Sequence, residues 1–247
     1  MTIQILHVDG RTLFESDTDE LRDAVHQATE EGVDLGGANL ARADLHGADL
    51  EDASLPGADL TGARLDGANV EDADLTGAKL DEVSARGANF ENVAMPRCSL
   101  VRANLDGTNF ESADLQDAVL DGVRAVRANF ERARLTRVRA REAIFRSSNL
   151  EKCELHGVDL SMADLSGANL EKCDLRDAQL VGTNLAGANV EKADLRGADL
   201  SGADLTEAHL EKCDVEGASL DGAKLAGAHM GKMFGTLRSQ ADSGPYR

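Results

Sequence analysis

The sequence predicts an all-β chain wound into a four-sided parallel β-helix, a solenoid of about ten coils with a small cap at each end. Three observations carry that prediction. Leu or another apolar residue falls at every fifth position from Leu35 to Met230 without a slip, the residue two before it is usually Ala, and Glu recurs at a spacing of twenty. An α-helix repeats at 3.6 residues and a plain strand at 2, so a period of five requires a coil that turns a corner once per pentapeptide.

The five-residue period defines the core. Forty consecutive pentapeptides place no charged residue at their eighty central and minus-two positions, although 29% of the chain is charged. Both positions therefore point inward, and the other three are solvated. The twenty-residue period sets the number of sides. Glu stands at 31, 51, 71, 91, 111, 131, 151, 171, 191 and 211, Phe at 90, 110 and 130, and an Asn run extends from Asn69 through Asn189. Four pentapeptides per coil follow, with residues twenty apart stacked at roughly 4.8 Å, for a rod of about 48 Å.

The flanks read as caps. Residues 1–32 hold an alternating segment, 3–15, folded about Asp9-Gly10 as a hairpin with a primed turn. A helix follows, with Asp17 and Glu20 as a capping pair, Leu21, Ala24, Val25 and Ala28 on one face, and Gly32 as its stop. The repeat occupies 33–230. Met230, at the end of the repeat, with Met233, Phe234 and Leu237 of 231–247 predicts a short amphipathic helical turn before a polar tail to Arg247.

Pentapeptides such as Ala168-Asn169-Leu170 and Gly197-Ala198-Asp199-Leu200 resemble those of the pentapeptide-repeat family over residues 33–230. The resemblance implies a right-handed quadrilateral β-helix, a handedness that spacing does not fix. It also implies that the C-terminal cap joins two copies in several relatives, which makes Met233, Phe234 and Leu237 candidates for a homodimer contact. Its fluoroquinolone-resistance branch implies a mimic of duplex DNA that binds a type II topoisomerase, DNA gyrase or topoisomerase IV. This chain departs from that branch in having neither a projecting loop nor a division into two sub-domains.

Composition bounds the chemistry. With aromatic residues at 3%, no Trp and a net charge of −19, the core is narrow and the surface acidic. That charge disfavours nucleic acid or an anionic membrane as direct partner and favours a basic protein. No apolar run reaches a membrane span, and the N-terminus lacks the order of a signal peptide, so the expected location is cytoplasmic. Forty repeats without an insertion provide no sheltered site for a catalytic pair, so no enzyme and no cofactor is expected. Cys98, Cys153, Cys173 and Cys213 occupy the inward minus-two position as small apolar residues. His209 and His229 share an outward position in adjacent coils, but two ligands do not make a zinc site, and no metal is assigned.

The charged faces are the candidate surfaces. Carboxylates stacked 4.8 Å apart repel by about 0.9 kcal/mol per neighbour even in water. Lys152, Lys172, Lys192 and Lys212 follow the later Glu residues and are placed to neutralise them, whereas Asp52, Asp72, Asn92 and Ser112 follow Glu51, Glu71, Glu91 and Glu111. The earlier stretch is the better partner-binding candidate. Along the axis, residues 33–120 carry 17 acidic and 6 basic side chains, a net −11, and 148–230 carry a net −9. Between them Arg124, Arg127, Arg132, Arg134, Arg137, Arg139, Arg141 and Arg146 face Asp121, Glu131 and Glu142, a net +5. This Arg belt is either a lattice of ion pairs with adjacent coils or a second recognition patch. Two functions compete: a DNA mimic whose rod spans roughly 14 base pairs and 28 phosphate charges, and a rigid adaptor for another protein, such as a secretion or phage component.

Overall fold

The computed structural model describes residues 2–238. β1 (Ile3–Leu6) and β2 (Thr12–Ser16) pair antiparallel, with an irregularity between Ile5 and Leu6. The turn between them is not the expected two-residue primed type. The Gly10 N–H donates to the His7 carbonyl at 2.8 Å, the His7 N–H donates to the Arg11 carbonyl at 2.8 Å, and only Gly10 is left-handed, at φ 92°. That is a three-residue loop with a glycine bulge. The Asp9 carboxylate supports it by accepting the Arg11 N–H at 3.1 Å.

α1 (Leu21–Glu30) buries Ala24, Val25 and Ala28 against the start of the solenoid core. Its N-cap is the extended Glu20, whose side chain makes no capping bond, and Asp17 instead accepts a hydrogen bond from the Thr2 hydroxyl. The expected Asp17–Glu20 capping pair is therefore not formed, because Asp17 still belongs to the chain leaving the hairpin. At the other end, the Val33 N–H reaches the Ala28 carbonyl and the Gly32 N–H reaches the Thr29 carbonyl, both at 2.9 Å, with Gly32 at φ 66°. This is the Schellman closure that glycine permits. Glu31 is the C-cap of α1, so the carboxylate column of the solenoid begins at Glu51 and not at Glu31.

From Asn39 to Phe234 every fifth residue bridges, in parallel, the residue twenty further along. Each side of a coil contributes the same set of bonds. The Asn69 N–H donates to Ala48 at 2.9 Å, the Leu50 N–H to Asn69 at 2.7 Å and the Asp52 N–H to Glu71 at 3.0 Å, while the Ala53 N–H closes the corner on Leu50 at 3.1 Å. Every corner residue from 37 to 232 has positive φ, and 22 of these are not glycine. A left-handed non-glycine residue costs about 1–2 kcal/mol, and the inter-coil bonds on both sides of the corner offset it. The hairpin covers the open edge of the first coil, where the Val8 N–H donates to Gly37 and the Asn39 N–H to Leu6.

Inside, the central and minus-two residues from Leu35 to Ala218 are buried in one continuous cluster. The Phe90, Phe110 and Phe130 rings stack at 5.0 Å, one per coil, and Phe145 meets Phe130 edge-on at 5.7 Å. Polar residues at the minus-two position are satisfied by backbone. The Thr108 hydroxyl donates to Ala85 at 2.6 Å, and the Thr183 hydroxyl to Leu160 at 2.8 Å.

The expected C-terminal helical turn is absent from the described residues. Phe234 instead pairs with Asp214, its N–H donating to Cys213 at 2.8 Å, and the Arg238 N–H donates to Ala218 at 2.8 Å. The preceding coil presents unpaired N–H and C=O groups, and a chain that keeps the coil register satisfies them where a helix would not. The predicted tail, 239–247, lies outside the described residues. Among the described residues no helix is long and apolar enough to cross a membrane.

Candidate functional site

The acidic column lies on the side of the solenoid that also carries the Asn run. Coil geometry sets a diagonal rule here: the residue just before one centre meets the residue just after the centre below it, eighteen positions earlier. Through this contact the Asn69, Asn89, Asn109 and Asn129 amides donate to Glu51, Glu71, Glu91 and Glu111 at 3.0, 2.9, 3.2 and 3.3 Å. The same amides bond up the ladder, Asn109 to Asn89 and Asn129 to Asn109, both at 3.0 Å. An N–H dipole is thus set against one oxygen of each Glu, which reduces the repulsion along the column without neutralising its charge. The Asn run was visible in the sequence; its pairing with Glu was not, because that needs the eighteen-residue diagonal rather than the twenty-residue stack.

Asp52 and Asp72 sit at left-handed corners beside this column and are exposed. Glu51 is exposed, while Glu71, Glu91 and Glu111 are half-buried. Near the first coil the His26 ring is 3.3 Å from the Asp49 carbonyl and 3.6 Å from Glu30. Glu111 departs from expectation, because the Arg132 guanidinium pairs with it and with Glu131. The cation-free stretch is therefore Glu51, Glu71 and Glu91 with Asp49, Asp52 and Asp72; none of these six carboxylates has an ion pair to Lys or Arg among the described residues.

Farther along, lysines rise alongside the column. The Lys152 ammonium lies 3.3 Å from Glu131 and 2.9 Å from Glu151, and Lys192 lies 2.6 Å from Glu171. Hydrogen bonds from Lys192 and then Lys172 pull the Glu171 carboxyl down to about 2.

The Arg belt is largely consumed by pairs within the rod. Arg124 meets Asp106 at 2.8 Å, Arg134 meets Asp114 at 2.9 Å, and Arg137 meets Asp117 and Arg139 meets Asp121, both at 2.7 Å. Arg141 reaches Asp159 at 2.5 Å and Arg146 reaches Asp164 at 2.7 Å. With Arg132 on Glu111, seven of the eight arginines have a carboxylate partner; among the described residues Arg127 has none. Arg127 lines a shallow open groove with His46, Asp66, Arg86, Asp106 and Arg124, in which no nucleophile stands beside a base.

The cysteines are all reduced and buried. The Cys153, Cys173 and Cys213 thiols donate to the Phe130, Leu150 and Val190 carbonyls at 2.8–2.9 Å. Burial raises the Cys98 thiol to about 12 and the Cys213 thiol to about 11. Met233 is half-buried against the core, whereas Phe234, Leu237 and Leu225 are 59%, 42% and 38% exposed.

The family model for pentapeptide repeats matches in eight copies between residues 31 and 232. The chain belongs to the pentapeptide-repeat family. Among solved members, HetL, from the cyanobacterium Nostoc sp. strain PCC 7120 and involved in heterocyst differentiation regulation, is 31% identical; the match covers 84% of this chain and 93% of HetL, with a TM-score of 0.48. Two trypsin-treated forms of QnrB1, a plasmid-mediated fluoroquinolone resistance protein, are 22% and 20% identical. They cover 70% and 68% of this chain and 89% and 85% of their own, with TM-scores of 0.53 and 0.55. At that identity the likeness to QnrB1 is one of fold, the right-handed quadrilateral β-helix of pentapeptide-repeat proteins. No curated protein matches the chain.

Proposed function

We propose that this pentapeptide-repeat chain is a non-catalytic binding rod whose working surface is the acidic face from Asp49 to Glu91, and that it engages a basic protein surface as a substitute for duplex DNA, with a type II topoisomerase as partner. The observation that carries the reading is the contrast along one side of the rod. Six carboxylates in the first coils have no Lys or Arg partner among the described residues, whereas Glu111 to Glu191 each have one. Unpaired charge held on stacked backbones is available to an incoming cationic surface without first breaking an internal pair. Such a surface carries its ligand field pre-organised, as a DNA backbone does.

The test is DNA gyrase supercoiling with increasing purified protein, run beside a Glu51→Lys, Glu71→Lys, Glu91→Lys variant at matched salt. Inhibition by the wild type that the variant loses, and that weakens as salt rises, supports the reading. Supercoiling unaffected by the wild type refutes the topoisomerase partner and leaves the adaptor role, whose partner is sought by pull-down with the same variant. The exposed Phe234, Leu237 and Leu225 on the last described coil favour a second contact, self-association of two rods end to end. Light scattering of wild type against Phe234→Ser, Leu237→Ser decides it.

A further inference from the structure

We propose that His209, Glu211 and His229 form a binding site for one divalent transition-metal ion near the C-terminal end of the Asn–Glu side, separate from the acidic face above. One ligand atom from each residue lies within 4.8 Å of the other two. His209 Nδ1 is 3.8 Å from Glu211 Oε2, and His229 Nδ1 is 3.9 Å from Glu211 Oε1. The rings stack at 4.6 Å with 11° between planes, and their backbones bridge in parallel, so both imidazoles are anchored on one ladder.

Three features separate this cluster from an ordinary surface group. Glu211 Oε2 is buried without a hydrogen-bond partner, an uncommon state for a carboxylate oxygen. The lysine that should satisfy it is not engaged: Lys152, Lys172 and Lys192 each contact the Glu beside them, while among the described residues Lys212 has no ion pair to Glu211 or Glu191. Finally, the two histidines replace Asn at positions where Asn serves seven consecutive coils, from Asn69 to Asn189. A ladder role needs only the amide; two imidazoles and a carboxylate add a donor set of two nitrogens and one oxygen.

That set selects the ion. Imidazole nitrogen suits zinc, nickel, cobalt and copper, whereas magnesium and calcium take oxygen ligands. Metal–ligand bonds of 2.0–2.2 Å place tetrahedral ligands about 3.3 Å apart. The present nitrogen–oxygen separations, 3.8 and 3.9 Å, exceed that value by about 0.6 Å or less, a gap on the scale of side-chain rotation. Three protein ligands leave an open position for water or for a side chain of a second protein.

The test is calorimetric titration of the full chain with zinc chloride, beside His209→Asn, His229→Asn and Glu211→Gln variants. Asn keeps the ladder residue that the neighbouring coils use, and far-UV circular dichroism checks the fold of each variant. The expected result is one ion per chain for the wild type, no comparable binding of magnesium, and an affinity loss of at least about tenfold in each single variant. In a second measurement, the ring protons of His209 and His229, out of six histidines, shift with zinc in NMR spectra. Absence of one-equivalent binding overturns the site, as does equal affinity in the His209→Asn, His229→Asn double variant or zinc shifts confined to the other four histidines.

Discussion

Replacing Phe110 with Ala tests whether the aromatic stack is a structural axis of the rod. Phe110 is fully buried between Phe90 and Phe130, with ring centroids at 5.0 Å on both sides. Removing a buried Phe ring costs about 3–5 kcal/mol in lost transfer and cavity energy. Part of that cost is the contact with the two stacked neighbours, about 0.5–1.5 kcal/mol each. Relaxation is limited, because the Phe110 N–H donates to Asn129 at 2.6 Å and the Asn109 N–H to Ala88 at 3.0 Å, pinning the wall on both sides of the cavity. The expected loss is therefore about 4–5 kcal/mol. With a urea slope near the top of the usual range, about 2.5 kcal/mol per molar, the midpoint falls by roughly 1.5–2 M. The chain has no Trp, so the assay is urea unfolding followed by far-UV circular dichroism. Glu91→Gln serves as the outward control, expected within about 0.5 kcal/mol of wild type. A Phe110→Ala midpoint within 0.5 M of wild type at unchanged slope, on the order of 1 kcal/mol, would refute the inward stack.

Two further predictions concern ionisation. Glu171 is held down to about 2 in the folded chain by Lys192 and Lys172, against about 4.3 for a free glutamate. A depressed folded value contributes stability that is complete above the unfolded value and is lost as pH falls through the folded one. The stability gap between wild type and Glu171→Gln should therefore be constant from pH 7 to about 5 and close between about 4.5 and 2. The gap is about 1 kcal/mol or less for a pair this near solvent, and thermal melts across that range measure it. The second prediction is that the thiols stay silent in the native state, because burial raises Cys98 to about 12 and Cys213 to about 11. A thiol-specific disulfide reagent at pH 8 should label none of the four natively and all four in denaturant, and rapid native labelling of any one would contradict its inward placement.

The winding of this chain is legible in its repeats. A slip-free five-residue period with uncharged inward positions admits one kind of wall, and a twenty-residue recurrence of Glu and Phe sets four walls to the coil, because like residues stack where backbones do. The helix stop at Gly32 was legible for the same reason, since a left-handed closure leaves a glycine signature. Contacts between coils were not legible. Asn69 on Glu51, Arg132 on Glu111 and Glu211 beside His209 and His229 all depend on which side chains lean diagonally across a corner. A one-dimensional period names the stacked partner twenty residues away but not the diagonal ones at eighteen and twenty-one. The ends were decided by the tertiary structure as well. Asp9-Gly10 closes through a bulge, Glu20 rather than Asp17 starts α1, and 231–236 keeps the coil register. At the C-terminal end the backbone hydrogen bonds offered by the preceding coil outweigh local propensity, and those bonds exist only once the coils are assembled; the hairpin loop is likewise held against the first coil by the Val8 N–H on Gly37, and Asp17 is drawn away from α1 by the Thr2 hydroxyl.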